Sequence, residues 1–539
     1  MSPHRGIGID RTRLEASINE LGAIGATPRG GLTRLALTND DKRGRDLMVR
    51  WMREAGLRVS VDQMGNIFGE RAGTTSLPPV MIGSHIDSVP TGGKYDGQLG
   101  VLCGLETIRA LDTHGIRTRH PVTLVIFTNE EGARFQPAMI ASGVMAGKIA
   151  LEDAYNTRDK DGLRLVDELE RIGYLGSEPC VPRPFRAYLE LHIEQGPFLE
   201  EEGLSVGIVD GIVAISWSRL TLHGVQDHAG PTPMRIRHDA LVAAAEIVTG
   251  VRTIARELGG ELVTTVGNLV VHPNIPNAIP GRVTMSIDMR DPRDASLDVA
   301  RRCLDAVVKA ACEREGVRWE LEHYWRVPYT PFAADVVAAV ERAATAANTR
   351  FRHIISGAGH DAQYMAAIGP TGMIFVPSRD GRSHCEEEFT PMDDIEHGAA
   401  TLFLAVMDLA LGLLSEATNM SAHWTEWFDE DLAWGSPLVA GASLLGTVLF
   451  APVFEEIVFR GLLYATLRRR LAWPVAAAVS AGVFAIAHGY GAAGFGSVFV
   501  SGLLWAIAYE RTGSLLPNVA AHVVNNVAAA LGVLLLLRG

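Results

Sequence analysis

Two hydrophobic patterns divide the chain near residue 414. Upstream, short β-rich runs such as "PPVMIGSH" (78–85), "PVTLVIFTNE" (121–130) and "RAYLELHIE" (186–194) alternate with stretches of helical spacing. Such alternation predicts a layered α/β sheet. Between 211 and 327, "SRLTLHGV" and "RVTMSIDMRD" alternate like half-buried strands, while "RHDALVAAAEIVTGVRTIARELG" and "SLDVARRCLDAVVKAACEREG" carry apolar residues at helical spacing. These predict a small α/β unit of its own. Beyond Trp434 the pattern changes to long apolar stretches: "GSPLVAGASLLGTVLFAPVF", "WPVAAAVSAGVFAIAHGYG", "GFGSVFVSGLLWAIAY" and "SLLPNVAAHVVNNVAAALGVLLLL". Each is close to the ~20 residues that span a bilayer. The acidic, tryptophan-bearing segment 415–436 reads as an interfacial linker, and 437–539 as transmembrane helices.

Composition sharpens this division. The 539 residues leave room for roughly three or four domain-sized units. Residues 416–539 hold only eight of the 62 acids and six of the 49 Lys and Arg, so most of the net charge of -13 lies upstream. No basic stripe offsets it, which excludes nucleic acid as a partner class. The cysteines at 103, 180, 303, 312 and 385 show no CxxC spacing, and their odd number argues against a disulfide framework. A reducing compartment is expected. The opening residues show no apolar signal-peptide core, so no secretory signal is expected.

The three quoted strands each deliver polar residues at the C-terminal end, where open α/β sheets place their sites. His85 in "GSHIDSV", Asp96 in "GGKYDGQLG", Glu131 in "TNEEGARF", His192 in "ELHIEQGP" and His384 in "GRSHCEEE" are candidate metal ligands. Zinc-like divalent ions take nitrogen and oxygen donors of this type, and a bridging carboxylate can hold two of them. The adjacent acids of "NEEG" then divide the work: Glu131 as ligand, Glu130 as the base that takes a proton from water. Asp87 stands two residues after His85, placed to orient that imidazole.

Over about residues 10–413 these motifs resemble the dinuclear zinc amidohydrolases of the aminoacylase and carboxypeptidase superfamily. Within it they resemble the branch of N-carbamoyl-L-amino-acid hydrolases, ureidopropionases and allantoate amidohydrolases. The resemblance implies one metal on His85, Asp96 and His192, a second on Asp96, Glu131 and His384, and Glu130 as general base. Zinc is the first expectation for both ions, with manganese, cobalt or nickel as alternatives. It implies an α/β fold: a mixed-sheet catalytic domain in two halves, 1–210 and 328–414, around an inserted ferredoxin-like α+β lid, 211–327, that pairs two subunits into a homodimer. His228 in "DHAGPTPM" would cross to the partner's site and steady the oxyanion. Asn277 in "PNAIPG" and Arg290 in "DMRDP" match substrate contacts, the guanidinium offering a planar fork for a carboxylate. Gln195 and His360 are weaker substrate candidates. The implied reaction is cleavage of the carbamoyl C–N bond of an N-carbamoyl-L-amino acid, with allantoate and 3-ureidopropionate as rival substrates.

The tail repeats a glutamate pair, Glu455 and Glu456 in "PVFEEIVFRG", inside apolar sequence where ionisable groups are functional candidates. With Arg460, with His488 in "FAIAH", and with His522 and Asn526 in "HVVNN", they form the EExxxR, FxxxH and HxxxN motifs. The segment resembles the CPBP family of intramembrane CAAX-type proteases, though only about four helices fit. That resemblance implies water activation by Glu455 with His488 and an oxyanion site at His522 and Asn526. A rival reading makes the whole a membrane-anchored protease or immunity protein with a ligand-binding soluble part; another makes it a fusion of two genes. The enzyme part and the cluster Arg468, Arg469 and Arg470 are both expected on the cytoplasmic side. Pro452 would allow a kinked or re-entrant helix pair that keeps them on one face, with the tail acting as an anchor.

Overall fold

The computed structural model describes residues 8–411, 437–488 and 492–538; the linker expected at 415–436 lies outside them. A nine-stranded mixed sheet carries the first part. Its order runs Arg58–Val61, Ile67–Arg71, Val122–Phe127, Val80–His85, Ala187–Ile193, Thr371–Val376, Val206–Ile212 and Thr330–Pro331, with Phe351–Ser356 also pairing Val206–Ile212. The four central strands, Val122–Phe127 to Thr371–Val376, are mutually parallel. Every residue in them is buried, as expected for strands covered on both faces. Helices Gln98–Thr113, Ala334–Ala346 and Met392–Leu411 supply cover, packing on one another and on these strands.

Parallel strands end on the same edge, so His85, paired with Phe127, and His192, paired with Phe375, come out side by side. Two buried arginines tie that edge down. Arg34 donates to the carbonyl of Ile86, beside His85, at 2.7 Å, and to Leu21 at 2.8 Å. Arg45 pairs with Asp41 at 2.7 Å and donates to the Gly65 carbonyl and to the Thr128 hydroxyl, just ahead of the two glutamates.

Between Ala214 and Val327 the chain builds a second, antiparallel sheet in the order Arg318–Val327, Ala214–His223, Arg282–Asp291, Val263–His272. Helices Ala240–Leu258 and Asp294–Glu315 pack on it around a core of its own. Strand, helix, two strands, helix, strand in this order is a ferredoxin-like arrangement. Arg282–Asp291 alternates between buried and less buried positions along its length, so a period of two in the sequence becomes one face packed on helices.

Among the described residues the tail forms four helices. A continuous helix runs from Pro437 to Arg468, then come Trp473–Ala487, Ala492–Thr512 and Leu516–Arg538. Among the described residues one helix, Gly441–Arg468, is long and apolar enough to cross a membrane. The re-entrant turn expected at Pro452 is not there: the helix continues through it, with wide five-residue turns at Gly446–Phe450 and Ile457–Tyr464. In that register the Thr447 carbonyl would take its hydrogen from residue 452, which as proline has none. The Asn526 amide supplies it instead, at 2.9 Å.

Asp41→Ala would leave Arg45 buried and unpaired. It is expected to cost about 3–5 kcal/mol, read in calorimetry as an earlier thermal transition of the soluble part.

Candidate metal centre

The glutamate pair sits on a turn built by Asn129. Its φ of 57° ends the strand in the left-handed region. Its side chain then bonds the Phe135 backbone, donating to the carbonyl at 2.8 Å and accepting from the N–H at 3.3 Å. The amides of Glu130 and Glu131 both donate to the Asp87 carboxylate, at 3.3 and 3.4 Å. Asp87 therefore does two things. Its carboxylate holds the turn, while its backbone carbonyl meets His85 Nδ1 at 2.9 Å; the carboxylate is 3.8 Å from the same nitrogen. His192 Nδ1 likewise meets the Ile193 carbonyl at 2.9 Å. A ring whose Nδ1–H bonds a carbonyl presents Nε2 as a lone pair.

Asp96 lies where both groups of ligands meet. Its Oδ1 is 3.2 Å from His192 Nε2 and 3.6 Å from His85 Nε2, and its Oδ2 is 3.4 Å from His384 Nε2. His384 Nε2 is also 3.4 Å from Glu131 Oε2. One carboxylate thus offers an oxygen to each of two potential ligand sets, His85–Asp96–His192 and Asp96–Glu131–His384. Glu130 stands beside them, 3.5 Å from His85 Nε2.

The donor set fits divalent ions. His85 Nε2 and Glu131 Oε1 are buried without a hydrogen-bond partner. A Cβ on Gly97, whose φ is 64°, would come within 2.2 Å of His85 Nε2, so only glycine keeps this cradle open. Burial, reinforced by Asp96, pushes the Glu131 carboxyl up to about 8. Burial also presses on His85, but Glu130 and Asp96 outweigh it and raise the imidazole well above its usual range. The bond to Asp96 carries His384 to about 9. Carboxylates crowded out of water in this way are the groups a divalent cation stabilises. A third group, Glu190, His192 and His360, differs. Glu190 already accepts from Ser84 Oγ at 2.7 Å and from Tyr188 and the Ala362 amide at 3.0 Å, so it reads as support under the site.

Three supports escaped the sequence reading. Glu388 accepts from the amides of Tyr95 and Asp96 at 3.0 and 3.1 Å. Ser383 Oγ lies 2.9 Å from Asp96 Oδ2 and 3.0 Å from Glu388 Oε2. Ser142 holds Asp361 beneath His360 at 2.5 Å. Glu388 ends a run of three acids that looks like solvated surface; the only cue was the paired glycine at 92–93, since a Cβ at Gly93 would fall 2.1 Å from the Glu388 carboxyl.

The cluster opens into a cleft also lined by Gln195, His360, Ile215, Trp217, Arg290 and Trp325. Gln195 donates to Asp96 Oδ2 at 2.7 Å, so it braces the centre directly. Burial, then the neighbouring His192, keeps His360 well below the usual imidazole range and hence neutral. Arg290 donates to Asp288 through Nε and Nη2 and to the Gly357 carbonyl through Nη1, leaving one N–H on each terminal nitrogen. His228 and Asn277 sit together on an exposed two-stranded ribbon and do not line this cleft.

In the tail, Glu456 bonds Arg460 at 3.0 Å, His522 Nδ1 at 3.2 Å and Asn518 at 3.3 Å. Glu455 Oε2 lies 3.7 Å from His488 Nε2 and 3.6 Å from His522 Nε2. Five of the six motif residues converge. Asn526 instead serves Thr447, and the buried Asn518, which the motifs did not single out, takes a place beside Glu456.

Residues 81–408 match the model of peptidase family M20/M25/M40. The chain belongs to this family. It is 42% identical over 410 residues to the N-carbamoyl-L-amino-acid amidohydrolase of Rhizobium meliloti, covering 76% of this chain and 99% of that protein. It is 40% identical over 409 residues to that of Geobacillus stearothermophilus, covering 75% and 100%. The crystal structure of an amidase of the hydantoinase/carbamoylase family from Burkholderia vietnamiensis superposes with a TM-score of 0.73 at 47% identity, over 75% of this chain and 98% of that one. Residues 437–528 match the type II CAAX prenyl endopeptidase Rce1-like model. The M20 part is accordingly a hydrolase, and its amide-bond chemistry is that of amidohydrolases.

Gly97→Ala is expected to force His85 out of the cluster and lower amide hydrolysis at least ~100-fold. An unchanged circular dichroism spectrum would separate this from misfolding.

Proposed function

We propose that the M20 part hydrolyses N-carbamoyl-L-amino acids to the amino acid, ammonia and carbon dioxide. The observation that carries this is Asp96, one oxygen toward each histidine-bearing group, with Glu130 beside His85. His85, Asp96 and His192 would hold one divalent ion, and Asp96, Glu131 and His384 the other, zinc in preference to manganese, cobalt or nickel. Such ions supply Lewis acidity that polarises a ureido carbonyl and makes water nucleophilic at neutral pH. Glu130 takes the proton from the attacking water on its carboxylate and hands it to the leaving nitrogen. Burial, opposed by His85, raises the Glu130 carboxyl well above its usual range, toward the basicity that task needs.

The free N–H bonds of Arg290 bind the substrate carboxylate, with His360 and Gln195 lining the same cleft. Residues 211–327 act as a lid between catalytic halves 1–210 and 328–414, and two lids pair to make a homodimer. The outer edge of Val263–His272, with Val263, Leu269 and Val270 exposed, supports that pairing. His228 and Asn277, exposed on their ribbon, then reach the partner's cleft. A soluble part that only binds ligand has no use for a base at Glu130. The Rce1-like segment associates the chain with a membrane, as an anchor for a cytoplasmic enzyme.

Elemental analysis is expected to find two transition-metal ions per chain, and chelation to abolish ureido hydrolysis. Glu130→Gln should keep both ions and lower kcat at least ~100-fold. Active protein without stoichiometric metal would refute the reading.

Truncation after Ser415 is expected to leave ureido hydrolysis intact in a soluble protein, and Glu455→Ala to leave it unchanged in the full chain. An ammonia assay on both checks that the tail takes no part.

A further inference from the structure

Resting on that reading, we infer that the site is built for N-carbamoyl amino acids with a large apolar side chain, aromatic above all, received by a wall of Trp217 and Trp325. The two indoles, on adjacent strands of the second sheet, lie with ring centroids 4.6 Å apart at 46°. Both are half-buried and line the cleft that holds Asp96 and Glu130. Their meeting depends on a bulge. Along Arg318–Val327 the register passes from His323 opposite Ser218 to Trp325 opposite Trp217, skipping Tyr324. Regular pairing would set Tyr324 there and turn Trp325 to the other face, because side chains alternate.

Ile215, two residues from Trp217 on the same face, extends the wall, and Met139 continues it from the catalytic side. Ile215 stands directly across from Arg290. The apolar wall therefore begins at the guanidinium and reaches Trp217 about 7 Å farther along the strand. An α-amino acid carries its carboxylate and side chain on one carbon, so a carboxylate held at Arg290 delivers the side chain to the indoles. 3-Ureidopropionate has no side chain to place there. Allantoate would set a second polar ureido group against apolar surface, at a desolvation cost.

The test uses the metal-loaded full-length chain with N-carbamoyl-L-phenylalanine, N-carbamoyl-L-tryptophan, N-carbamoylglycine, 3-ureidopropionate and allantoate. The expected kcat/KM for the aromatic compounds exceeds that for the glycine compound by at least about tenfold. The same order is expected in calorimetric Kd values with the Glu130→Gln chain. Trp325→Ala should shrink the aromatic-to-glycine ratio to under about threefold, and Trp325→Phe should retain it. If the unaltered chain hydrolyses the glycine compound, 3-ureidopropionate or allantoate as well as the aromatic compounds, this inference fails and the carbamoyl reading stands. If it hydrolyses no ureido compound, that reading fails and takes the inference with it.

Discussion

Carboxylates crowded out of water repel one another, and the first part of this protein is arranged around that problem at Asp96. Three imidazoles approach its two oxygens from different directions, and Gln195 and Ser383 donate to one of them. Its backbone is held in turn by Glu388. These partners come from three segments, the ends of strands Val80–His85 and Ala187–Ile193 and the loop carrying Ser383, His384 and Glu388, and all three must arrive beside the one residue on the glycine turn before Gln98–Thr113. The buried arginines Arg34 and Arg45 make sense in this light, since they bind the backbone and hydroxyl groups just beside the ligand-bearing turns. The fold concentrates negative charge at one edge and spends its buried positive charge behind it.

The second sheet gives the cleft its other wall, and the division of labour follows from its two faces. One face packs on helices Ala240–Leu258 and Asp294–Glu315 and makes a core. The opposite face, near Ile215, Trp217 and Arg290, turns toward the charge cluster. An apolar, aromatic surface beside a guanidinium suits a ligand with one anionic end and one greasy branch, whereas the charged cluster suits a polar bond that must be hydrolysed. His228 and Asn277 are exposed and take no part in this wall.

In the tail the same chemistry of buried charge is solved differently. Glu456 is neutralised along its own helix by Arg460 and from another helix by Asn518 and His522. Proline at 452 removes a donor, and Asn526 repairs the loss at Thr447. A polar residue picked out by a motif can thus be occupied with the backbone.

Strand, helix and apolar-tail patterns were legible because burial imposes its period directly on the sequence. His85 and His192 were legible as strand-end residues, and the glutamate pair as one that only a charged site would reward. What the linear chain could not show was cross-strand register and the choice between a side chain and its own backbone. Asp87 meets His85 mainly through a carbonyl, Glu388 looks like surface until Gly93 and Asp96 fold against it, and Trp325 faces the cleft only because Tyr324 is bulged out. The sequence by itself determined which residue types and periods were available, since those follow from local burial and propensity. Tertiary structure decided which atoms face one another, because a one-residue shift in pairing, or a single freed carbonyl, redirects a side chain without altering any local pattern.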